Sequence, residues 1–354
     1  MTTASRPLNV AIAGFGTVGR AVARLLCEGR HPALRLAAVC TRRPDAGRRE
    51  APWATPDLLW TGDIDALLAD RADVVVELIG GVEPARTWIA AALRAGQAVV
   101  TANKQVIAEH GPELVSLARI CGSPLRFEAS VAGAIPVIRG LQDGLAGDRV
   151  TRIAGVVNGT CNFVLGRMTD EGVSLDEAVR EAQARGFAEA DPTADLDGLD
   201  ARAKLSILTA VGLGGYLPPH RIPVRTIRDL CHADIAAAAA EGCVIRQVAW
   251  AEWAHEGGRA AIAAGAGPAL VRRDTWLARV RGPENVVLVR GVRSGTTVFA
   301  GQGAGGDATA VAVLSDLLAL TRVRAVPPPW PTRAEAAAGA QTARPGLRLF
   351  DENA

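Results

Sequence analysis

Leu8-Asn9-Val10-Ala11-Ile12-Ala13-Gly14-Phe15-Gly16-Thr17-Val18-Gly19 is an apolar run followed by glycines at the spacing Gly-x-Gly-x-x-Gly. The run suits a buried parallel strand, and Val22, Leu25 and Leu26 continue it as one face of an amphipathic helix. Strand, Gly-rich turn and helix in that order are the setting a dinucleotide fingerprint requires. Gly14 permits the tight turn, Gly16 lets the backbone approach a pyrophosphate, and Gly19 lets helix and strand pack closely. Phe15, Thr17 and Val18 fill the positions between them, and the helix N-terminus offers its unpaired N–H groups to the phosphates. A Gly-rich turn in some other α/β protein would share the glycines but not both flanks.

The next apolar run, Leu34–Cys40, reads as the second strand, and its end bears on cofactor choice. An Asp or Glu there bonds the ribose 2′-hydroxyl of NAD, whereas Arg accommodates the 2′-phosphate of NADP. The residues are Thr41-Arg42-Arg43, which favours NADP with NAD possible; the bland alternative is a solvated loop. Asp73–Ile79 is a further buried strand ending in Gly80-Gly81, Pro84–Ala95 reads as a helix closed by Gly96, and Ala98–Thr101 is a short strand ending in Ala102-Asn103-Lys104. Ligands of open α/β sheets bind beyond the carboxyl ends of strands. Ile79, Gly80, Thr101 and Lys104 lie at such ends and are candidate cofactor contacts, the alternative for Lys104 being an ordinary surface cation.

Gly186–Leu205 carries a dense run of carboxylates. Glu189, Asp191, Asp195, Asp197 and Asp200 fall within twelve positions and repel one another unless a cation is present. Pro192 and Gly198 break the segment into a loop, so Asp197 or Gly198 caps the helix that follows and Asp200 lies in its first turn. Lys204, four residues on, shares a helix face with Asp200. A solvated acidic loop with an ordinary ion pair is the alternative; a calcium loop would need a Glu at its twelfth position and has none.

Several segments, in order, resemble the homoserine dehydrogenase family. They are Glu77-Leu-Ile-Gly-Gly81, Val99-Val-Thr-Ala-Asn-Lys104, Phe127-Glu-Ala-Ser-Val-Ala-Gly-Ala-Ile-Pro136, Asn158-Gly-Thr-Cys-Asn-Phe163, Gly186-Phe-Ala-Glu-Ala-Asp-Pro-Thr-Ala-Asp-Leu-Asp-Gly-Leu-Asp-Ala-x-x-Lys-Leu205 and Gly301-Gln-Gly-Ala-Gly305, over about residues 8–323. The resemblance implies a Rossmann domain at 1–135, to which 301–323 returns, and an α+β substrate and dimerisation domain at 136–300, its open sheet carrying helices on one face. It implies Lys204 as proton donor held by Asp200, with Lys104 assisting. Glu189 takes the substrate ammonium, Asp195 and Asp200 fix the site, and Gly159 and Thr160 join the substrate set. Gly303 makes a backbone contact to the cofactor. Glu128 and the carbonyls of Val131, Gly133 and Ile135 hold a monovalent cation such as sodium; Ala134 replaces the more usual Gly, which would disfavour a positive φ there. Many members of the family continue into a regulatory ACT-type domain, for which the residues after Val326 leave no room.

The remaining features are consistent with small-molecule chemistry. A formal charge of +2 over 354 residues gives no electrostatic case for nucleic acid or a membrane. Six scattered cysteines without a Cys-x-x-Cys, and no signal-peptide pattern, point to a reducing, cytoplasmic setting. Cys161 suggests a thioester mechanism, but no activating histidine is visible near it, so a small buried cysteine is the better reading. Arg152–Val157, Cys243–Trp253, Ala260–Ala264, Val286–Arg293 and Thr296–Ala300 read as strands, and Val173–Ala184, Ala201–Leu213 and Ile235–Glu241 as helices. Residues 324–354, with Pro327-Pro328-Pro329, read as a poorly ordered tail or arm. The expected activity is a homodimeric, NADP-dependent interconversion of L-homoserine and L-aspartate 4-semialdehyde in threonine and methionine biosynthesis. The rivals are a reductase for another small amino-aldehyde and a non-catalytic NADPH sensor.

Overall fold

The computed structural model describes residues 6–69, 72–256, 259–322, 326–328, 330, 331, 334 and 347–352. The chain forms two compact units, Met1–Ala134 with Gly305–Trp330, and Ile135–Ala304 with Pro331–Ala354.

In the first unit strands and helices alternate: β1 (Leu8–Ala13), α1 (Thr17–Cys27), β2 (Leu34–Cys40), α2 (Pro44–Glu50), β3 (Leu59–Thr61), α3 (Ile64–Leu68), β4 (Val74–Glu77), α4 (Ala85–Arg94), β5 (Ala98–Thr101), α5 (Lys104–Cys121) and β6 (Leu125–Arg126). The strands form one parallel sheet in the order β3-β2-β1-β4-β5-β6. That is the Rossmann order expected from the first nineteen residues. Parallel strands are covered on both faces, which is why β1, β4 and β5 read as nearly continuous apolar runs. Val10, Ile12, Val74, Val76 and Val100 have no exposed surface and pack with Val22 and Leu26 of α1. Each such side chain contributes about 1.5–3 kcal/mol by leaving water.

The second unit contains α6 (Val137–Arg139), β7 (Val150–Val156), α7 (Gly159–Glu171), α8 (Leu175–Ala184), α9 (Thr193–Leu196), α10 (Leu199–Leu208), α11 (His232–Ala240), β8 (Cys243–Glu256), β9 (Arg259–Arg272), α12 (Trp276–Arg279), β10 (Glu284–Gly291) and β11 (Gly295–Gln302). Its sheet is antiparallel throughout, in the order β11-β10-β7-β8-β9. Alternation along β8 sends Cys243 and Ile245 to one face, against Phe163, Leu165, Ala178 and Ile235 of α7, α8 and α11. Val244 and Val248 go to the other face with Val271, Val286 and Leu288. The second face is not bare, as a sheet with helices on one face only would be: Leu277 of α12 and Phe350 pack on it. β9 is also longer than the expected Ala260–Ala264, because it pairs with β8 from Arg259 to Arg272.

The chain then returns to the first unit through α13 (Gly306–Arg322), which buries Ala310, Val313, Leu317 and Leu320 in that core. Gly301 and Gln302 do not return with it. They end β11 and pair with Asn285 and Glu284 of β10.

Part of the expected tail, residues 324, 325, 329, 332, 333, 335–346, 353 and 354, lies outside the described residues. The described residues of the tail are held by specific contacts, as an arm would be. Trp330 lies against Gly111 of α5, where a Cβ would come within 2.7 Å of its ring, and the Arg119 guanidinium donates to the Pro327 carbonyl at 3.1 Å. Leu349 pairs with Leu270 on the outer side of β9, Phe350 lies under the Arg152 guanidinium at 4.8 Å, and Glu352 accepts from the N–H groups of Trp276 and Leu277 at the start of α12. Apolar residues at 347, 349 and 350 supply the contacts that composition alone had not weighted.

Candidate functional site

The dinucleotide turn shows which glycines the protein itself needs. Gly14 has φ +108°, and a Cβ there would sit 2.7 Å from the Leu78 carbonyl; its N–H donates to the Cys40 carbonyl at 2.9 Å. Gly19 is pressed against the Gly14 carbonyl, so any side chain would collide with backbone. Gly16 is different: it has an ordinary φ of −82° and open space where a Cβ would stand. No protein contact accounts for that glycine, whereas a ligand on the turn would. Gly16 also caps α1 without a side-chain hydrogen bond, so the first amides of the helix are left for an anion. The residues therefore fit a dinucleotide pyrophosphate. Phe15 contributes backbone only, since its ring is buried edge-on to Trp60 at 4.9 Å. Thr17 begins α1, and Val18 packs at the edge of the core.

Arg42 and Arg43 lie exposed beyond β2, and neither guanidinium has a partner among the described residues. At the next strand ends, Ile79 is followed by Gly80 and Gly81 with φ +75° and +71°, and Lys104 opens α5 behind the cap residue Asn103. The Thr101 hydroxyl is committed. It donates to Glu77 at 2.6 Å and accepts the Asn103 N–H at 2.9 Å, so only its backbone remains for a cofactor.

Further along the first unit, Glu128 is 2 % exposed, and its N–H donates to Asp316 of α13 at 2.9 Å. Val131 is buried and Gly133 has φ +56°. The strained position is Ala132, with φ +57°, and not Ala134. A carboxylate with main-chain oxygens suits a hard monovalent cation. Among the described residues no group of His, Cys, Asp and Glu forms a metal centre of the side-chain type. Ile135, the last residue of the proposed set, opens the second unit.

In the second unit the acidic loop sorts its carboxylates. Gly198, in the left-handed conformation with φ +76°, is the cap of α10, and Asp200 and Lys204 follow on one buried face. Lys204 Nζ donates to Asp200 Oδ2 at 2.8 Å and to the Val157 carbonyl at 2.7 Å. Asn158 Nδ2 donates to the same Asp200 oxygen at 2.8 Å and to Asp195 Oδ1 at 2.6 Å, while its own oxygen caps α7 by accepting the Cys161 N–H. Gln247 of β8 donates to the Asp195 carbonyl at 3.0 Å. Asp197 is taken by Arg228 and Thr226, and Asp191 accepts the Thr193 N–H, so these two shape the loop. Glu189 stays exposed, its side chain without a partner among the described residues. Thr160 donates to the Phe187 carbonyl at 2.6 Å, and a Cβ at Gly159 would meet the Pro283 carbonyl at 3.0 Å.

Cys161 is fully buried beneath this cluster and donates to the Asp195 carbonyl. Burial first, then the charges of Asp195 and Asp200, push its thiol well up, which keeps it protonated and removes it as a nucleophile. Gly303 sits hard against the buried Asn285 amide, a packing reason for glycine that is independent of any cofactor. Asn158, Gln247 and Glu77 were missed as site residues by sequence reasoning. Asn158 carried a signal, an Asn at a strand-to-helix junction, and Gln247 carried none.

Among the described residues no helix is long and apolar enough to cross a membrane. Residues 14–128 match the model of the homoserine dehydrogenase NAD-binding domain, and residues 136–318 match the homoserine dehydrogenase model. The homoserine dehydrogenase of Synechocystis sp. is 40% identical over 317 residues, 88% of this chain and 72% of that protein. That of Mycobacterium tuberculosis is 41% identical over 323 residues, 90% of this chain and 73% of the relative. The crystal structure of a homoserine dehydrogenase from Thiobacillus denitrificans superposes with TM-score 0.87 at 34% identity, covering 94% of this chain and 79% of that one. A hyperthermophilic archaeal homoserine dehydrogenase in complex with NADPH gives TM-score 0.76 at 28% identity, covering 91% and 100%. A Rossmann unit with an open glycine at the phosphate turn, a lysine held by a buried carboxylate and these matches along most of the chain lead to one assignment: the protein belongs to the homoserine dehydrogenase family.

Proposed function

We propose that the protein interconverts L-homoserine and L-aspartate 4-semialdehyde, with NADP preferred over NAD. The observation that carries this reading is Lys204. Two of its three N–H donors are used, by Asp200 and the Val157 carbonyl, which leaves one for an oxygen that gains negative charge. A bound nicotinamide supplies or accepts the hydride. In the reducing direction Lys204 donates its proton to the developing alkoxide; in the oxidising direction it must be neutral to accept one. General acid–base help of this type is worth about 10²–10⁴-fold. Lys104, the first residue of α5, takes the assisting role.

Asp195 and Asp200, bridged by Asn158, supply the negative field for the substrate ammonium, and Glu189, exposed on the same loop, binds that ammonium when substrate is present. Gly159 and Thr160 line the substrate side. Gly14, Gly16 and Gly19 hold the pyrophosphate, and Arg42 and Arg43 the 2′-phosphate; their unpaired guanidiniums beyond β2 support NADP. Glu128 with the carbonyls of Val131, Gly133 and Ile135 holds a monovalent cation such as sodium. Homodimeric assembly, a cytoplasmic location and a place in threonine and methionine biosynthesis complete the reading, on the strength of the family. Steady-state assay of the purified protein with homoserine and with aspartate semialdehyde, each with both cofactors, tests it. Absence of homoserine-dependent reduction of either cofactor would remove it.

A further inference from the structure

Glu77 is the last residue of β4, is 1 % exposed, and has no part in the reaction outlined above. A buried carboxylate is costly unless it is hydrogen-bonded. The groups around Glu77 are donors. The Thr101 hydroxyl donates to Oε2 at 2.6 Å and the Ile79 N–H to Oε1 at 2.9 Å; the Gly80 N–H adds to these, and the Asn103 amide lies at a long 3.5 Å. The pattern extends outward. Thr101 Oγ1 accepts the Asn103 N–H, the Asn103 amide donates to the Gly81 carbonyl at 2.7 Å, and Asn103 Oδ1 caps α5 through the Val106 N–H. One carboxylate thus ties the turn Leu78–Gly81 to the strand end that delivers Lys104. These donors favour its ionised form, and burial opposes it.

Its place in the sheet gives this bonding a purpose. β4 and β5 lie across the switch point from β1 and β2, in the half of a doubly wound sheet that takes the second nucleotide. The turn after Glu77 also abuts the phosphate turn, since Leu78 donates its N–H to the Ala13 carbonyl at 2.8 Å and crowds Gly14.

We propose that Glu77 is a positioning residue of the cofactor site: its buried carboxylate locks the Gly80 turn to the Thr101–Lys104 strand end and sets a fixed negative charge in the half of the sheet that takes the nicotinamide nucleotide. The oxidised ring is cationic and the reduced ring neutral, so the charge favours the oxidised cofactor. This rests on the nicotinamide-cofactor reading above. A coulombic difference of about 1.4 kcal/mol between the cationic and the neutral ring changes the ratio of the two affinities about tenfold.

Calorimetric titration of NADP⁺ and NADPH into the wild type, Glu77→Gln and Glu77→Asp, with hydrogen exchange of the Ile79 and Gly80 amides in cofactor-free protein, tests it. Glu77→Gln should lose affinity for NADP⁺ about tenfold more than for NADPH, and both amides should exchange faster. Glu77→Asp keeps the charge but shortens the reach, so it should keep the affinity ratio and still exchange faster. Equal losses for both cofactors in Glu77→Gln overturn the proposal. If that variant does not fold, unchanged amide exchange in Glu77→Asp, or a ratio that shifts there, overturns it. A wild type that binds neither dinucleotide overturns the cofactor reading and the proposal with it; a wild type that binds both while Glu77→Gln leaves their ratio unchanged overturns the proposal alone.

Discussion

Lys204 and Asn158 converge on a single oxygen of Asp200, with Nζ and Nδ2 each 2.8 Å from Oδ2. The ammonium is therefore held from below by a carboxylate that is itself held, and it has little freedom to leave. Lys204→Ala should lower kcat by about 10²–10⁴-fold while the Kd for NADPH stays within a few-fold of wild type, because the side chain belongs to the second unit's acidic cluster and not to the phosphate turn. Stopped-flow turnover and a fluorescence titration separate the two effects. A variant with near wild-type kcat would exclude Lys204 from proton transfer.

NADP should be the better cofactor, and Arg42→Asp or Arg43→Asp should shift preference toward NAD. A charge-assisted hydrogen bond to phosphate contributes about 1.5–3 kcal/mol, so the ratio of kcat/KM values should move by roughly 10- to 150-fold. Equal efficiency with both cofactors in the wild type would mean that these exposed arginines are only solvated.

Ala132 is held at φ +57° and is almost wholly buried. The left-handed conformation costs an L-residue about 1–2 kcal/mol, and the cost is greater for a β-branched one. Ala132→Gly should leave stability unchanged or raise it by up to about 1 kcal/mol, the strain relief being offset by the freer unfolded chain. Ala132→Val should lower it by about 2 kcal/mol or more. Urea unfolding of the two variants, read against each other, decides whether the backbone there is strained.

Glu352 accepts two N–H groups at the start of α12, and Leu349 and Phe350 add backbone pairing and a ring contact. Glu352→Ala should cost about 0.5–2 kcal/mol, as the loss of a helix cap does. Deleting residues 347–354 should cost more than that. An unchanged thermal midpoint after the deletion would show that the segment adds nothing to the fold.

Burial raises the Glu77 carboxyl above its ordinary value of 4.5, against the hydrogen bonds from Thr101, Ile79, Asn103 and Gly80. The folded state then binds this proton more tightly than the unfolded chain does. Stability from this group is complete below pH 4.5 and is lost as pH rises through the raised value. Unfolding free energy measured across that window should fall less with pH in Glu77→Gln than in the wild type. A steeper fall in the variant would reverse the sign assigned here.

The first unit was largely legible because its evidence is local. β1, β2 and β5 have the bounds read from their apolar runs, and Gly14 and Gly19 meet the close contacts their spacing implied. β3 and β6 were not legible, since three and two residues carry no periodicity. β9 was read too short because Ala and Gly give little contrast between faces; pairing with β8 sets its length. In the acidic loop the i,i+4 pair of Asp200 and Lys204 followed from helix geometry, whereas Asn158 and Gln247 approach from 42 and 52 residues away in the chain, to Asp200 and Asp195. The partner of Asp197 was hidden for the same reason, since Arg228 lies 31 residues downstream.

The pairing of Leu349 and of Val224 with β9 has a consequence for how molecules of this protein meet one another. The outermost strand of a sheet offers a row of unpaired amides and carbonyls, a template on which a foreign chain can add and aggregate. On β9 that row is occupied at Ala266 by Val224 and at Leu270 by Leu349, and Pro268 between them has no N–H to offer. A chain without residues 347–352 would keep the sheet but leave the Leu270 amide and carbonyl open to a foreign strand.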